Sequence, residues 1–348
     1  MPTAGNPASI FWQEFAELSR ISVHCPERGQ TSRRKEGVLM ASFHLSRTQA
    51  HWSWNPDRTP MVRVHPGSTL TVEIANASGG QLDRHSLTAD VAALDFSRVN
   101  PVTGPIWIEG AEPGDAVIVE ILSIDLDDWG WTANIPGFGL LADEFAEPHL
   151  RISKVTPQYA ELIPGIRLPV QPFIGTIGLA PSEPGDHPLV PPGPHGGNMD
   201  MRHVTSGSRL WLPVAVPGAL LSLGDSHAAQ GDGEVCGTAI ETSSVVTLRV
   251  HLKKGAGLAT PRLESHPFSR RTGAFWVTTG IGPDLWEAAR QATREMIAWI
   301  QELTGLSRED AYLVTSTAGD LAVSEIVDAP NWVMSMHMPK DILGGGGL

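Results

Sequence analysis

Cysteine is nearly absent from this 348-residue chain, with Cys25 and Cys236 its only two. A disulfide framework and a cysteine-rich zinc site are thereby excluded. Basic residues are also scarce: 25 Lys and Arg stand against 38 Asp and Glu, for a formal net charge of -13. Such a chain offers no footprint for nucleic acid or an anionic membrane. Its one basic cluster, Arg33-Arg34-Lys35, reads as a solvated loop. No apolar run reaches the roughly 20 residues of a membrane span. Glu14 and Glu17 break the apolar stretch near the start, which argues against a signal peptide, so the expected setting is the cytoplasm. Missing too are a Gly-x-Ser-x-Gly elbow, a phosphate-binding loop and a Rossmann glycine fingerprint, which sets those enzyme classes aside.

What is abundant is punctuation. Thirty-six Gly and 28 Pro interrupt a chain that is 41% hydrophobic, a balance that disfavours a helical bundle and favours short strands joined by turns. Val62 and Val64, then Leu70, Val72 and Ile74, alternate with polar residues across the turn His65-Pro66-Gly67-Ser68. A further strand is expected over Ala116–Ile124. Residues 127–200 read as long loops with short strands near 152–155, 160–163 and 174–179, and strands resume at 209–216, 219–223 and 245–252. One long amphipathic helix is expected from the stripe Leu285, Ala288/Ala289, Ala292, Met296, Trp299/Ile300 and Leu303, capped by Asp284 with Glu287 and stopped by Gly305. Ser307 and Asp310 predict a second, shorter helix. The expected fold is α+β and predominantly β: a β-sandwich or barrel-like core of short strands with an α+β C-terminal portion. Residues 1–39 read as a peripheral extension ahead of a natural start at Met40. A β region follows over 40–126, a loop-rich β region over 127–255, and the α+β portion over 256–348.

The chemistry concentrates in two windows, His195-Gly-Gly-Asn-Met-Asp200 and Gly224-Asp-Ser-His227 with Gln230-Gly-Asp-Gly-Glu234. Asp225 and His227 are two apart, so on a strand they face the same way. A carboxylate and an imidazole on one face suit a divalent metal such as zinc. Asp232 and Glu234 repeat the spacing beside glycines that let the backbone approach a ligand. Carboxylates so dense need a metal, protons or cations to neutralise them, and only Arg202 and Arg209 lie nearby in sequence. The plainer alternative is turn chemistry, since Gly-Asp and Asp-Gly pairs are ordinary turn residues. His187, His203 and His251 read as exposed or packing histidines, and Cys236 as a small buried side chain.

At these residues the sequence resembles the acetamidase/formamidase family. The carriers are Asn100-Pro-Val-Thr-Gly-Pro105, Ile108-Glu-Gly-Ala-Glu-Pro-Gly-Asp115, Pro172-Phe-Ile-Gly-Thr-Ile-Gly178, Gly196-Gly-Asn-Met-Asp200 and Gly218-Ala-Leu-Leu-Ser-Leu-Gly-Asp-Ser-His-Ala228. Gln230-Gly-Asp-Gly-Glu-Val235, Ile240-Glu241 and Ala311-Tyr-Leu complete the set. The resemblance spans about Met40 to Leu343, and residues 1–39 depart from it. It implies hydrolysis of the C–N bond of a short amide to carboxylate and ammonia. It also implies a β-rich fold, metal-dependent chemistry without a serine or cysteine nucleophile, and a dimer or larger homo-oligomer.

Residues and resemblance together assign His195, Asp200, Asp225 and His227 as metal ligands, with Glu241 as an additional or outer ligand. Glu234 is the expected general base and Asp232 its reserve. Asn198, with the backbone N–H groups of Gly196 and Gly197, is expected to hold the developing oxyanion. The expected ion is zinc, with calcium as a further structural ion. Two alternatives stand beside this reading: a hydrolase of the same fold acting on a larger or cyclic amide, and a non-catalytic β protein binding a metal or small ligand.

Overall fold

The computed structural model describes residues 42–340 and 343, apart from 165, 267–272, 309–310, 312–313 and 316–317. The expectation for residues 1–39 therefore lies outside the described residues. So does Asp310 of the expected second helix, although the backbone is helical at Ala311, Val314 and Thr315.

Along the chain run β1 (Ser42–Leu45), β2 (Ala50–His51), β3 (Val62–Val64), β4 (Thr69–Ile74), the one-turn α1 (Thr88–Val91), β5 (Val102–Ile108), β6 (Ala116–Leu126) and β7 (Trp129–Asn134). They are followed by β8 (His149–Val155), β9 (Tyr159–Ile163), β10 (Ile166–Pro169), β11 (Phe173–Gly178), β12 (Gly196–Asn198), β13 (Arg209–Pro213), β14 (Leu221–His227), β15 (Glu241–Thr242) and β16 (Ser244–Lys253). The last elements are β17 (Arg262–Glu264), β18 (Phe275–Gly282), α2 (Leu285–Thr304), β19 (Asp320–Glu325) and β20 (Trp332–Pro339).

The strands form two sheets. One has nine strands in the order β1-β4-β16-β6-β13-β17-β18-β20-β19. The other has eleven, in the order β10-β9-β8-β7-β15-β14-β11-β12, with β5 added on β14 and with β2 and β3 on β5. The alternation read in β4 is borne out: Leu70, Val72 and Ile74 are buried while Thr69, Thr71 and Glu73 are half-buried. These side chains join Val117, Val119 and Ile121 of β6, Ile106 of β5, Ile174 and Ile177 of β11 and Leu221 and Leu223 of β14 in one apolar core. Both sheets feed that core, so the fold is the expected α+β, β-dominated sandwich.

The long helix also matches its sequence. Asp284 Oδ1 accepts the Glu287 N–H at 2.8 Å, and Gly305, with a left-handed φ of 73°, donates its N–H to the Gln301 carbonyl. Ala288, Ala292, Met296 and Ile300 form the buried stripe of α2, and Ala292, Met296 and Ile300 cluster with Met336 and Met338 of β20. Burial of a side chain of that size contributes about 2 kcal/mol. Gly280 of β18 permits the approach, because a Cβ there would collide with the Ala288 carbonyl. Among the described residues no helix is long and apolar enough to cross a membrane.

Candidate active site

The site is built around β14. One edge of this strand pairs with β11 along its length, from Phe173 opposite His227 to Gly178 opposite Ser222. The other edge is divided: β5 pairs with it as far as Gly224, and β15 takes over from Ser226. Asp225 sits at the changeover with a left-handed φ of 57°. The register of β11 sets Gly175 opposite Asp225. A Cβ on Gly175 would fall 2.7 Å from Asp225 Oδ2 and 3.0 Å from His227 Cε1, and nearer still to Asp200 Oδ1. The missing side chain is thus the space into which three functional groups converge.

His227 is held from every side. Its Nε2 lies 3.0 Å from Asp225 Oδ1 and 3.0 Å from Glu241 Oε2. Its Nδ1 lies 2.8 Å from the Gln230 side-chain oxygen and 3.7 Å from Asp200 Oδ1. Gln230 is itself oriented, donating its NH₂ to the Asp200 carbonyl at 2.9 Å. Phe173 meets the imidazole edge-on, with ring centroids 4.8 Å apart. Glu241 reaches His227 because the two stand opposite each other in the β14–β15 pair, and its other oxygen accepts the Ala239 N–H at 2.7 Å.

A second acidic group adjoins the first. Asp200 and Glu234, with left-handed φ of 43° and 46°, are both buried. Asp328 joins them from the segment after β19, accepting the Asn198 NH₂ at 2.5 Å. Glu325 shapes that segment by accepting the Val327 and Asp328 N–H groups. The Asn198 side-chain oxygen accepts from Asn100 at 2.9 Å and from the Thr176 hydroxyl. Asn100, Asp200, Asp225 and Glu234 are four of the six non-glycine residues with left-handed backbone among those described. Strained backbone gathered at one place is characteristic of functional sites.

The electrostatics follow from packing carboxyls out of water. Burial, reinforced by the Asp225 charge, holds the Asp200 pKa well above the usual carboxylate range. Burial and the Asp200 charge do the same to Glu234, and burial with the Glu325 and Asp200 charges to Asp328. Glu241 is pushed up to about 7, chiefly by burial. Burial opposes charge on Asp225 as well, yet the His227 charge and hydrogen bond prevail and lower it. His227 resists burial in the same way: Glu241 and Asp225 keep its pKa well above that of a free imidazole.

Asp200, Asp225, His227, Glu234, Glu241 and Asn198 are therefore brought together, and all but His227 line one cavity of about 270 Å³. Two other candidates stand apart. Asp232 forms a two-point ion pair with Arg202, at 2.8 Å for both contacts. His195 packs edge-on against Trp54, with centroids 5.3 Å apart, from the turn closed by the Gly193–Gly196 bridge, ahead of β12, where Gly196 and Gly197 both have positive φ. The Gly196 N–H donates to the Gly193 carbonyl, which occupies it. Cys236 is half-buried rather than buried. Asp328, Gln230, Thr176 and Asn100 were not among the expected site residues. Of these, Gln230 lies inside a chemical window, Asn100 and Thr176 lie in segments that carry the family resemblance, and Asp328 lies in neither.

The donors fit a metal ion. Asp225, His227 and Glu241 offer ligand atoms all within 4.8 Å of one another, and so do Asp200, His227 and Glu234. Buried Asp200 Oδ1 and Glu241 Oε2 make no hydrogen bond, although both lie near the His227 ring nitrogens. Buried oxygens without donors are costly unless a cation or proton meets them.

Known proteins share this architecture. A crystal structure of an acetamidase from Bacillus halodurans superposes with a TM-score of 0.79 at 34% identity, covering 88% of this chain and all of that one. A formamidase of Methylophilus methylotrophus is 30% identical over 84% of this chain and 89% of its own length. An acetamidase of Mycolicibacterium smegmatis is 29% identical over 83% and 89%. The family model described as acetamidase/formamidase matches residues 40–184 and 187–344, which takes in every residue of the cluster around His227. This chain belongs to the acetamidase/formamidase family.

Proposed function

We propose that the chain hydrolyses the C–N bond of a short linear amide with the help of one divalent ion, zinc foremost. The setting of His227 carries the proposal. With its Nδ1–H donated to Gln230, His227 turns Nε2 towards Asp225 and Glu241, where an ion would displace the Nε2 proton, the arrangement of a ligating imidazole and its outer support. Imidazole with carboxylates suits zinc among divalent ions. Asp225, His227 and Glu241 would hold the ion, with Asp200 as a further donor. The chemistry such an ion supplies when bound is polarisation of a carbonyl oxygen and a lowering of the pKa of water to about 7.

The surrounding residues do the rest. Glu234 is the general base: it lines the cavity, and burial beside Asp200 raises its proton affinity towards the range a base needs. It takes a proton from the attacking water as the water oxygen bonds to the amide carbon. It returns that proton to nitrogen as the C–N bond breaks, so amide and water become carboxylic acid and ammonia. The Asn198 NH₂ has one N–H on Asp328 and turns the other to the developing oxyanion.

The same proposal includes a cytoplasmic setting, to be checked by cell fractionation, and a dimer or larger assembly. Exposed Leu140, Leu141, Phe145 and Val235 lend apolar surface to such an assembly, and light scattering tests it. The decisive experiment measures ammonia released from acetamide and formamide by the purified protein, before and after chelation. Activity should vanish on chelation and return with about one equivalent of zinc; full activity of metal-free protein would falsify the proposal.

A further inference from the structure

The cavity has two unlike ends. Its floor is Asn198, Asp200, Asp225, Glu234, Glu241 and Asp328, and among the described residues no Lys or Arg lines it. Its walls are Leu94, Phe96, Val99, Trp131, Ile135 and Phe138. Trp131 offers no donor to a ligand, because its indole N–H is bound by Asn76 at 3.2 Å. Phe96 is 53% exposed yet firmly placed. Its single 3₁₀ turn is capped by Asp95, whose carboxylate accepts the Ser97 N–H and hydroxyl, and Gln81 clamps Asp95 through both its own side-chain groups. An exposed aromatic held this way is a prebuilt apolar wall.

The dimensions exceed what acetamide requires. At about 30 Å³ for each water-sized group, 270 Å³ accommodates roughly nine non-hydrogen atoms, of which the ion and the attacking water take about two and leave roughly seven for the substrate. Acetamide has four. Resting on the amide hydrolysis proposed above, we infer that the substrate is an uncharged primary carboxamide bearing an apolar chain of about four carbons. The amide lies over the carboxylate floor and the substituent packs against Leu94, Phe96, Trp131 and Phe138. A carboxylate on the substrate is rejected, since the floor is acidic, the lining holds no cation among the described residues, and its Ser78 and Thr238 hydroxyls already donate to Asn76 and to the Ala133 carbonyl.

The test is a series of kcat/KM values for zinc-loaded enzyme on formamide, acetamide, propionamide, butyramide, pentanamide, hexanamide, benzamide and succinamic acid. The value should rise about fourfold per methylene from acetamide to pentanamide, the gain from burying each CH₂. Succinamic acid should fall below butyramide by roughly 100-fold or more. In Phe96→Ser, an exposed position where folding is safe, the pentanamide-to-acetamide ratio should drop at least fivefold, a scale set by the lost apolar contact. Values that stay flat or decline beyond acetamide, or a ratio unchanged in Phe96→Ser, overturn this inference while leaving amide hydrolysis standing. Ammonia from none of the amides overturns amide hydrolysis itself.

Discussion

Gly175 lies directly across the β11–β14 pair from Asp225, and the space above its Cα is where Asp200, Asp225 and His227 converge. Its backbone is outside the left-handed region, so alanine is conformationally acceptable there. Gly175→Ala should therefore fold, while its methyl group occupies the position the ligand atoms share. Metal affinity should fall by roughly 10–100-fold, the scale of a lost support around an ion. Competition with a chromophoric chelator measures it; wild-type affinity would mean that the ion binds elsewhere.

Glu234→Gln keeps the shape and removes the proton acceptor. Metal content should stay near wild type while kcat falls by roughly 10²–10⁴-fold. Metal analysis and turnover on the same sample separate the possibilities. Loss of the ion makes Glu234 a ligand, and unchanged turnover makes it a turn residue.

Asp232 is expected to behave differently from its neighbour. Its partner Arg202 is only 8% exposed, so Asp232→Asn leaves a buried guanidinium short of a counter-charge. Stability should fall by about 1–3 kcal/mol, with kcat changed less than about threefold, because the group is engaged in packing rather than in the cavity. Urea denaturation and turnover decide it: a loss of kcat without a loss of stability would restore Asp232 as a base.

Acid should destabilise the fold through His51. Burial, with Arg58 nearby, lowers its pKa from 6.5 to about 4, and the neutral ring bridges the Ser53 carbonyl and the Ser222 hydroxyl. Between pH 6.5 and 4 the unfolded chain holds a proton that the folded chain refuses, so stability is lost as pH falls through that window. The contribution approaches about 3 kcal/mol at its lower end. His195, lowered to about 4 by burial, acts in the same direction. In His51→Gln, denaturation midpoints at pH 7 and pH 4.5 should differ less than in the wild type. An equal difference would show that His51 titrates alike in both states.

Periodic elements were legible in the sequence, and meeting points between distant segments were not. The α2 stripe and the β4 alternation announce a buried face, because burial imposes the spacing of each element. β7, Trp-Gly-Trp-Thr-Ala-Asn, does alternate, with Trp131 and Ala133 buried and Thr132 and Asn134 half-buried, but it lies in a stretch whose glycines and prolines read as loop. In the site, Asp225 and His227 do face a common point, but through a left-handed Asp225 rather than by plain strand alternation. His195 lies near Asp200 in sequence, yet it sits in the turn closed by the Gly193–Gly196 bridge, just ahead of β12. Asp328 lies 130 residues from Asn198 and stands in Asp-Ala-Pro, which reads as a turn. Only the placement of β19 and the segment after it beside the Asp232–Glu234 loop, through the Gly233–Glu325 bridge, brings it to the cavity.

Asn100, Asp200, Asp225 and Glu234 each hold a backbone conformation that glycine adopts without strain and that costs other residues roughly 1–2 kcal/mol. Three of the four also keep a carboxyl away from water. Heat resistance and chemistry therefore pull this chain in opposite directions. On the proposed roles, a selection that rewarded thermal survival alone would drift towards Glu234→Gly, and would trade the base of the proposed reaction for a hardier fold.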